Sequence, residues 1–178
     1  MIINEENSRH EMILAAAKEA MSAARTAPKT RGIDNLAIMT VEGEDIERVA
    51  AMMEAAAAQK PEKRATFVRD ANNVRASQAI VLLGARQNPV GLDCGWCGFS
   101  SCAGKGGNSG APCVFNVMDL GIALGSVAAL LAGKHIDNRL MYSIGYAALA
   151  LKLFSPEVTV ALGIPLSISG KSPYYDRK

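Results

Sequence analysis

Four cysteines fall within twenty residues of this 178-residue chain, spaced Cys94-x2-Cys97-x4-Cys102-x10-Cys113, and no other cysteine occurs. Burial alone imposes no such spacing, because a core accepts a cysteine wherever packing leaves a small apolar gap. The filler constrains the fold as much as the thiols do. Gly95, Gly98, Gly104, Gly106, Gly107 and Gly110 permit positive φ and let the backbone wrap a centre closely. Such a backbone can also aim N–H groups at thiolate sulfurs. Lys105 is the only ionised residue between Cys94 and Cys113, and one lysine suits a site made net negative by four thiolates.

A cuboidal iron–sulfur cluster takes four thiolates, the first three closely spaced and the fourth from further along. A 4Fe-4S centre on Cys94, Cys97, Cys102 and Cys113 is the leading reading. Structural zinc sites generally show two CxxC-like knuckles, and only Cys94–Cys97 makes one here. Cys94-Gly95-Trp96-Cys97 also has the form of a thioredoxin-like dithiol, which would leave Cys102 and Cys113 without a role. Reduced cysteines with no ligand are the remaining alternative. In a reducing compartment, clustered cysteines suggest metal or redox chemistry before disulfides. Trp96 and Phe99 are expected to shield the centre from water.

Other function classes find little support. The net charge is +2 and the basic residues are dispersed, so no nucleic-acid partner is expected. Met1 to Glu6 carries acidic residues where a signal peptide needs basic ones, and a cytoplasmic protein is expected. The apolar stretch 114–133 contains Asn116 and Asp119 and is followed by Lys134 and His135. It reads as a buried helix, with no membrane partner. The two histidines, His10 and His135, are expected at the surface, and neither a catalytic triad nor a phosphate loop is visible. Asp119 suits a buried polar network or a place near the centre, and Gly121-x3-Gly125 suits close helix packing.

Helices and strands alternate loosely along the chain. Ser8-Arg9-His10-Glu11 has the form of a capping box, opening a helix that buries Ile13, Ala16, Ala17, Ala20, Met21 and Ala24 and ends before Pro28. Leu36 to Val41 reads as a strand. A helix after Gly43 turns Ile46, Val49, Ala50 and Met53 inward, and Pro61 opens another carrying Phe67, Ala71 and Val74. Ala79 to Leu83 is a strand covered on both faces. Helices over Val114–Ala132 and Tyr142–Phe154, a strand over Val158–Leu162 and a polar tail from Lys171 complete the order. With 49% apolar residues and no repeat, the expectation is one α+β domain over residues 1–178, a mixed sheet covered by helices.

Cys94-Gly95-Trp96-Cys97-Gly98-x3-Cys102 resembles the CGxCGxxxC motif of four-iron cluster domains, in which the fourth cysteine usually lies further along than Cys113. The chain as a whole resembles a prokaryotic family described as containing a ferredoxin domain. The likeness is strongest at Ala27–Gly32, through the cysteine loop, at Gly163–Ser167 and at Gly170–Arg177. A fainter likeness is to FMN-dependent nitroreductases, carried by Ala27-Pro28, Asn35 and Leu162-Gly163-Ile164-Pro165 with the basic tail behind it. That likeness implies a nitroreductase-like fold, a homodimer, and an FMN phosphate held by residues such as Lys29, Arg31, Asn35, Lys171 and Arg177. Point-charge or bidentate contacts from these polar loops are feasible, and solvated surface charge is the plainer alternative for each. Tyr174-Tyr175 suits either a flavin ring or a cap on the core.

The resulting expectation is an iron–sulfur redox protein, open to being an FMN-linked oxidoreductase that passes electrons to a small acceptor. The alternative is a non-enzymatic binding or assembly protein stapled by a structural four-cysteine site holding zinc or a cluster. The electron donor and acceptor are unknown from sequence.

Overall fold

The computed structural model describes residues 1–59, 61–105 and 110–175. Helix α1 runs over Glu5–Thr26, a 3-10 turn over Thr30–Gly32, and strand β1 over Leu36–Glu42. Helix α2 (Glu44–Gln59), a 3-10 turn at Pro61–Lys63 and helix α3 (Arg64–Arg75) lead into strand β2 (Ala79–Arg86). After the cysteine segment, with its short helix α4 (Cys102–Lys105), come α5 (Val114–Gly133), β3 (Asp137–Asn138), α6 (Tyr142–Ala150) and β4 (Val158–Ser167).

Helix α1 starts earlier than its Ser-x-x-Glu sequence suggests. Asn4 is the N-cap, its side chain accepting the Glu6 N–H at 2.9 Å, and Glu5 and Glu6 occupy the first turn, where carboxylates suit the helix dipole. Ser8, one turn inside, donates its hydroxyl to the Asn4 carbonyl at 3.0 Å instead of capping. The buried face is the expected one, Ile13, Ala16, Ala17, Ala20 and Ala24, with Met21 half-buried.

The sheet has the order β1-β2-β4-β3. A mixed sheet was the expectation, but every pairing among the described residues is antiparallel. The reason for the first pair is connectivity: α2 and α3 form a helical hairpin between β1 and β2. One helix returns the next strand parallel, whereas two antiparallel helices reverse it. The α+β class and the helical cover are as the sequence suggested.

Strand β2 is buried along nearly its whole length and sorts its side chains strictly by parity. Ile80 and Leu82 face a core built by α2, α3 and α6, with Met53, Phe67, Val74 and Ile144. Ala79, Val81, Leu83 and Ala85 face a second core built by α1 and α5, with Ile13, Leu120, Leu124 and Val127. At about 25 cal/mol per Å2 of apolar surface, two such layers supply the dominant stabilising term.

Helix α6 ends at Ala150 instead of Phe154. Lys152 takes φ +56°, and the Lys152 and Leu153 N–H groups return to the Leu149 and Ala148 carbonyls, each at 3.0 Å. This reversal delivers Phe154 into the core. Strand β4 runs past its expected end, through Pro165 to Ser167. The proline is tolerated because Gly163 and Met141 exchange hydrogen bonds on that edge while β3 has already ended at Asn138. Helix α5 is apolar and long enough to span a membrane, yet it turns Leu120, Ala123, Leu124, Val127 and Leu131 into the second core.

Candidate metal centre

The entry to the cysteine segment is held by polar side chains. Asn116, in the first turn of α5, donates to the Arg86 and Asn88 carbonyls at 3.0 and 2.6 Å. Asn35, buried just ahead of β1, donates to the Asn88 carbonyl at 3.1 Å and to Asn116 Oδ1 at 3.0 Å. Together they satisfy the backbone that leaves β2, which would otherwise be costly to bury. One step further, Arg31 donates to the Val90 and Gly91 carbonyls at 2.9 and 3.1 Å. Arg31 is itself held in a left-handed conformation, φ +56°.

From Gly91 onward the chain turns through left-handed residues. Gly91, Asp93, Gly95 and Gly98 all have positive φ, and the Gly98 N–H closes a turn onto the Gly95 carbonyl at 3.0 Å. Asp93 accepts the Cys102 N–H at 2.6 Å and Ser101 Oγ accepts the Gly104 N–H at 3.0 Å, so the start of α4 is capped twice. Gly106 and Gly107 lie outside the described residues.

This path brings all four thiols to one cavity. Cys94, Cys97, Cys102 and Cys113 line it together with Val90, Leu92, Phe99, Phe115 and Lys105. Cys94, Cys97 and Cys102 are half-buried, and Cys113 is buried at the start of α5. All four are free thiols. The cavity is only about 10 Å3, close to the room one water needs, so the loop must open to admit anything larger. In keeping with this, no three metal-ligating side chains among the described residues stand in a coordinating arrangement. The donor set is right for a cluster, with four soft ligands and no competing histidine, while the spacing is that of a closed loop.

Trp96 does not line the cavity. It is 65% exposed and stacks on Phe115, with ring centroids 5.3 Å apart. Phe99 does line it, as expected, and Phe115 takes the place foreseen for Trp96. Lys105, a surface-prone residue type, is 2% exposed.

Of the residues expected to hold a flavin phosphate, Lys29, Arg31 and Asn35 are engaged by the chain itself. The Lys29 ammonium folds back on α1 and donates to the Ala24, Arg25 and Ala27 carbonyls at 3.4, 2.5 and 2.8 Å, a C-terminal cap. Arg31 and Asn35 tie the cysteine segment, as above. Lys171 lies exposed in the C-terminal tail, and Arg177 is outside the described residues. Tyr174 is buried with its hydroxyl 2.9 Å from Ser77 Oγ, so it caps the core, and Tyr175 lies under the Arg139 guanidinium. His10 and His135 are exposed, as expected. Asn88 and Asn116 carry no periodic or motif signal and were not foreseeable from sequence.

The C-terminal residues 109–177 match the family model described as "Uncharacterized protein containing a ferredoxin domain (DUF2148)". A protein of Archaeoglobus fulgidus, described as uncharacterized, is 44% identical over 185 residues, spanning 99% of this chain and 98% of that protein. The chain belongs to this ferredoxin-domain family. The stretch matched by the family model begins after Cys102, so of the four thiols it includes Cys113 alone. Among solved structures, the chain is similar to a nitroreductase with bound FMN from Desulfitobacterium hafniense, with TM-score 0.59 and 12% identity over 96% of this chain and 81% of the other. It is also similar to a nitroreductase-like family protein from Bacillus cereus, with TM-score 0.60 and 9% identity over 100% and 81%. The FMN-dependent nitroreductase NfnB from Mycobacterium smegmatis, solved in complex with NADPH, gives TM-score 0.59 and 13% identity over 88% and 78%. At these identities the likeness is one of fold: this family member has a nitroreductase-like fold.

Proposed function

We propose that the protein is an iron–sulfur redox protein in which Cys94, Cys97, Cys102 and Cys113 hold a four-iron cluster. The observation that carries this reading is the cavity lined by all four thiols and by a buried lysine. The family's ferredoxin domain supports it independently. When bound, the cluster supplies one-electron transfer at a potential tuned by its surroundings. The chain's own part is to supply thiolates, exclude water with Phe99 and Phe115, and hold the loop through Arg31, Asn35 and Asn116. An acceptor reaching the site meets the exposed Trp96 edge.

The test is anaerobic purification or reconstitution with ferrous iron and sulfide, followed by visible spectroscopy with iron and sulfide analysis. Broad absorbance bleached by dithionite is the expected result, and a colourless protein holding stoichiometric zinc would overturn it.

A flavin is the second reading, favoured by the FMN carried or required by proteins of the same fold. It requires Lys29 and Arg31 to leave the carbonyls they now hold, or other residues to bind the phosphate. Fluorescence released on denaturation, after incubation with FMN, tests it. The proposal also includes a cytoplasmic homodimer. The outward face of α5 presents Val117, Met118 and Ile122 with Gly121 and Gly125 and carries no charge, which suits a second copy of the same face. Sedimentation of the wild type against Ile122→Lys tests the dimer, with a monomeric wild type overturning it.

A further inference from the structure

Lys105 ends the short helix α4 with its backbone N–H on the Ser101 carbonyl at 3.2 Å, and its side chain is buried in the wall of the four-cysteine cavity. Among the described residues it has no hydrogen-bond or ion-pair partner. Asp93 is the only carboxylate among the described lining residues, and it forms no ion pair with Lys105. Leaving an unpaired lysine so nearly buried is unfavourable. A methionine would fill the same space without that penalty. The charge therefore needs a reason, and the four thiols around it supply one.

Four thiolates around a dipositive core leave a dianion, whether the core is an oxidised four-iron cluster or a zinc ion. We propose that Lys105 is the built-in counter-cation of this tetrathiolate centre, a positioning residue that favours the loaded state by charge. The inference rests on the cluster reading for the identity of the core, but not for the sign of the charge it meets. In the absence of metal, the nearly buried Lys105 faces no such dianion. With the core bound, it faces two net negative charges in a partly enclosed site, where screening is weaker than in bulk water. One-electron reduction adds a third, so Lys105 also favours the reduced cluster.

The two states thus respond oppositely to loss of the charge. Removing it relieves the empty protein and weakens the loaded one, a pair of signs that a packing role does not produce.

The experiment uses the full-length reduced chain as wild type, Lys105→Met and Lys105→Arg. Melting of the metal-free proteins is compared first, and cobalt(II) is then titrated as a spectroscopic probe of tetrathiolate binding. In parallel each protein is reconstituted with ferrous iron and sulfide and titrated with dithionite. Lys105→Met is expected to melt at or above wild type when empty and to bind cobalt about tenfold to a hundredfold more weakly. Lys105→Arg keeps most of the affinity. In the reconstituted protein, a tenfold relative weakening of the reduced form appears as a midpoint about 59 mV lower. Equal cobalt affinity in wild type and Lys105→Met, or no uptake by either, overturns the proposal. So does a metal-free Lys105→Met that melts lower or fails to fold, because that assigns Lys105 to packing. A wild type that refuses iron and sulfide, yet binds cobalt in a Lys105-dependent way, sinks the cluster reading while upholding this one.

Discussion

The Asp119 carboxylate and Thr30, 89 residues apart in sequence, are joined by three hydrogen bonds. The carboxylate accepts the Thr30 N–H at 3.0 and 3.1 Å and its hydroxyl at 2.9 Å. Thr30 opens the 3-10 turn whose next residue, Arg31, grips the Val90 and Gly91 carbonyls. A buried acid on α5 therefore governs, through one turn, the entry to the cysteine segment.

Asp119→Ala is expected to cost about 2 kcal/mol, because it removes a charge-assisted contact and leaves the half-buried Thr30 N–H without its partner. Urea unfolding of the metal-free protein measures it. Thr30→Ala, which loses only the hydroxyl bond, should cost about 1 kcal/mol. A cost for Asp119→Ala no larger than that would remove the carboxylate from its anchoring role.

Gly145→Ala should prevent stable folding. A Cβ at Gly145 would stand 1.8 Å from the Ala161 carbonyl oxygen and 2.2 Å from its carbon, so the obstacle is backbone and cannot rotate away. Helix α6 would have to lift from β4, opening the core around Ile144 and Phe154. Loss of the cooperative thermal transition, or of soluble protein, is the expected readout. By contrast Gly121→Ala meets nothing within 4 Å and, being an exposed helical glycine, should stabilise the monomer by about 0.5–1 kcal/mol.

How much of this was legible beforehand follows from the range over which each signal acts. Phe67, Ala71 and Val74 were placed by helical spacing, and the two-sided burial of β2 by its unbroken apolar run, because periodicity is local and additive. The start of α1 was misplaced because Asn4 and Ser8 are equally good caps on paper, and only the acidic first turn favours the earlier one. The cysteines were found by spacing. Their supports were not, since Asn35–Asn88 and Asn35–Asn116 join residues 53 and 81 apart with no periodic trace. Lys29 and Arg31 show a second limit. A basic loop reads the same whether its charges meet a phosphate, water or the chain's own carbonyls, and here they meet carbonyls.

Arg75 bridges α3 to α2 by donating to both Glu47 and Glu54, with contacts of 2.7–2.9 Å. Its hydrogen bonds hold both carboxyls below their ordinary value of 4.5. Folded-state values lowered in this way contribute stability that is present above about pH 4.5 and is lost as the pH falls through the depressed values. Arg75→Gln should therefore lower stability slightly at neutral pH, slightly because the groups are exposed, and meet the wild-type curve in acid, so that its acid limb is flatter. Raising the salt concentration should flatten the wild-type limb in the same way. Chemical denaturation between pH 6 and the acid transition, about pH 3, would show it; parallel curves for the two proteins would remove Arg75 from the acid response.

Tyr174 packs into the core built by α2, α3 and α6. Its ring is buried, its hydroxyl meets Ser77 Oγ, and Arg139 donates to its carbonyl at 3.0 Å. Burial pushes the phenol well above its ordinary value of 10.0, with the Asp137 carboxylate adding to the effect against the opposing Ser77 bond. The sign is the reverse of the glutamates. A phenol whose folded value is raised contributes nothing below about pH 10, and from there upward the unfolded chain ionises first and stability falls as the pH climbs toward the folded value. Tyr174→Phe keeps the ring and removes the ionisation, so its alkaline limb should be shallower than that of the wild type. At neutral pH the same variant should lose only about 1 kcal/mol, because Ser77 Oγ still donates to the Asn73 carbonyl at 2.7 Å and is not left unpaired. Denaturant unfolding at pH 7 and at about pH 11 separates the two effects. A variant weaker by the same margin at both would mean that the tyrosine matters for its hydrogen bond alone.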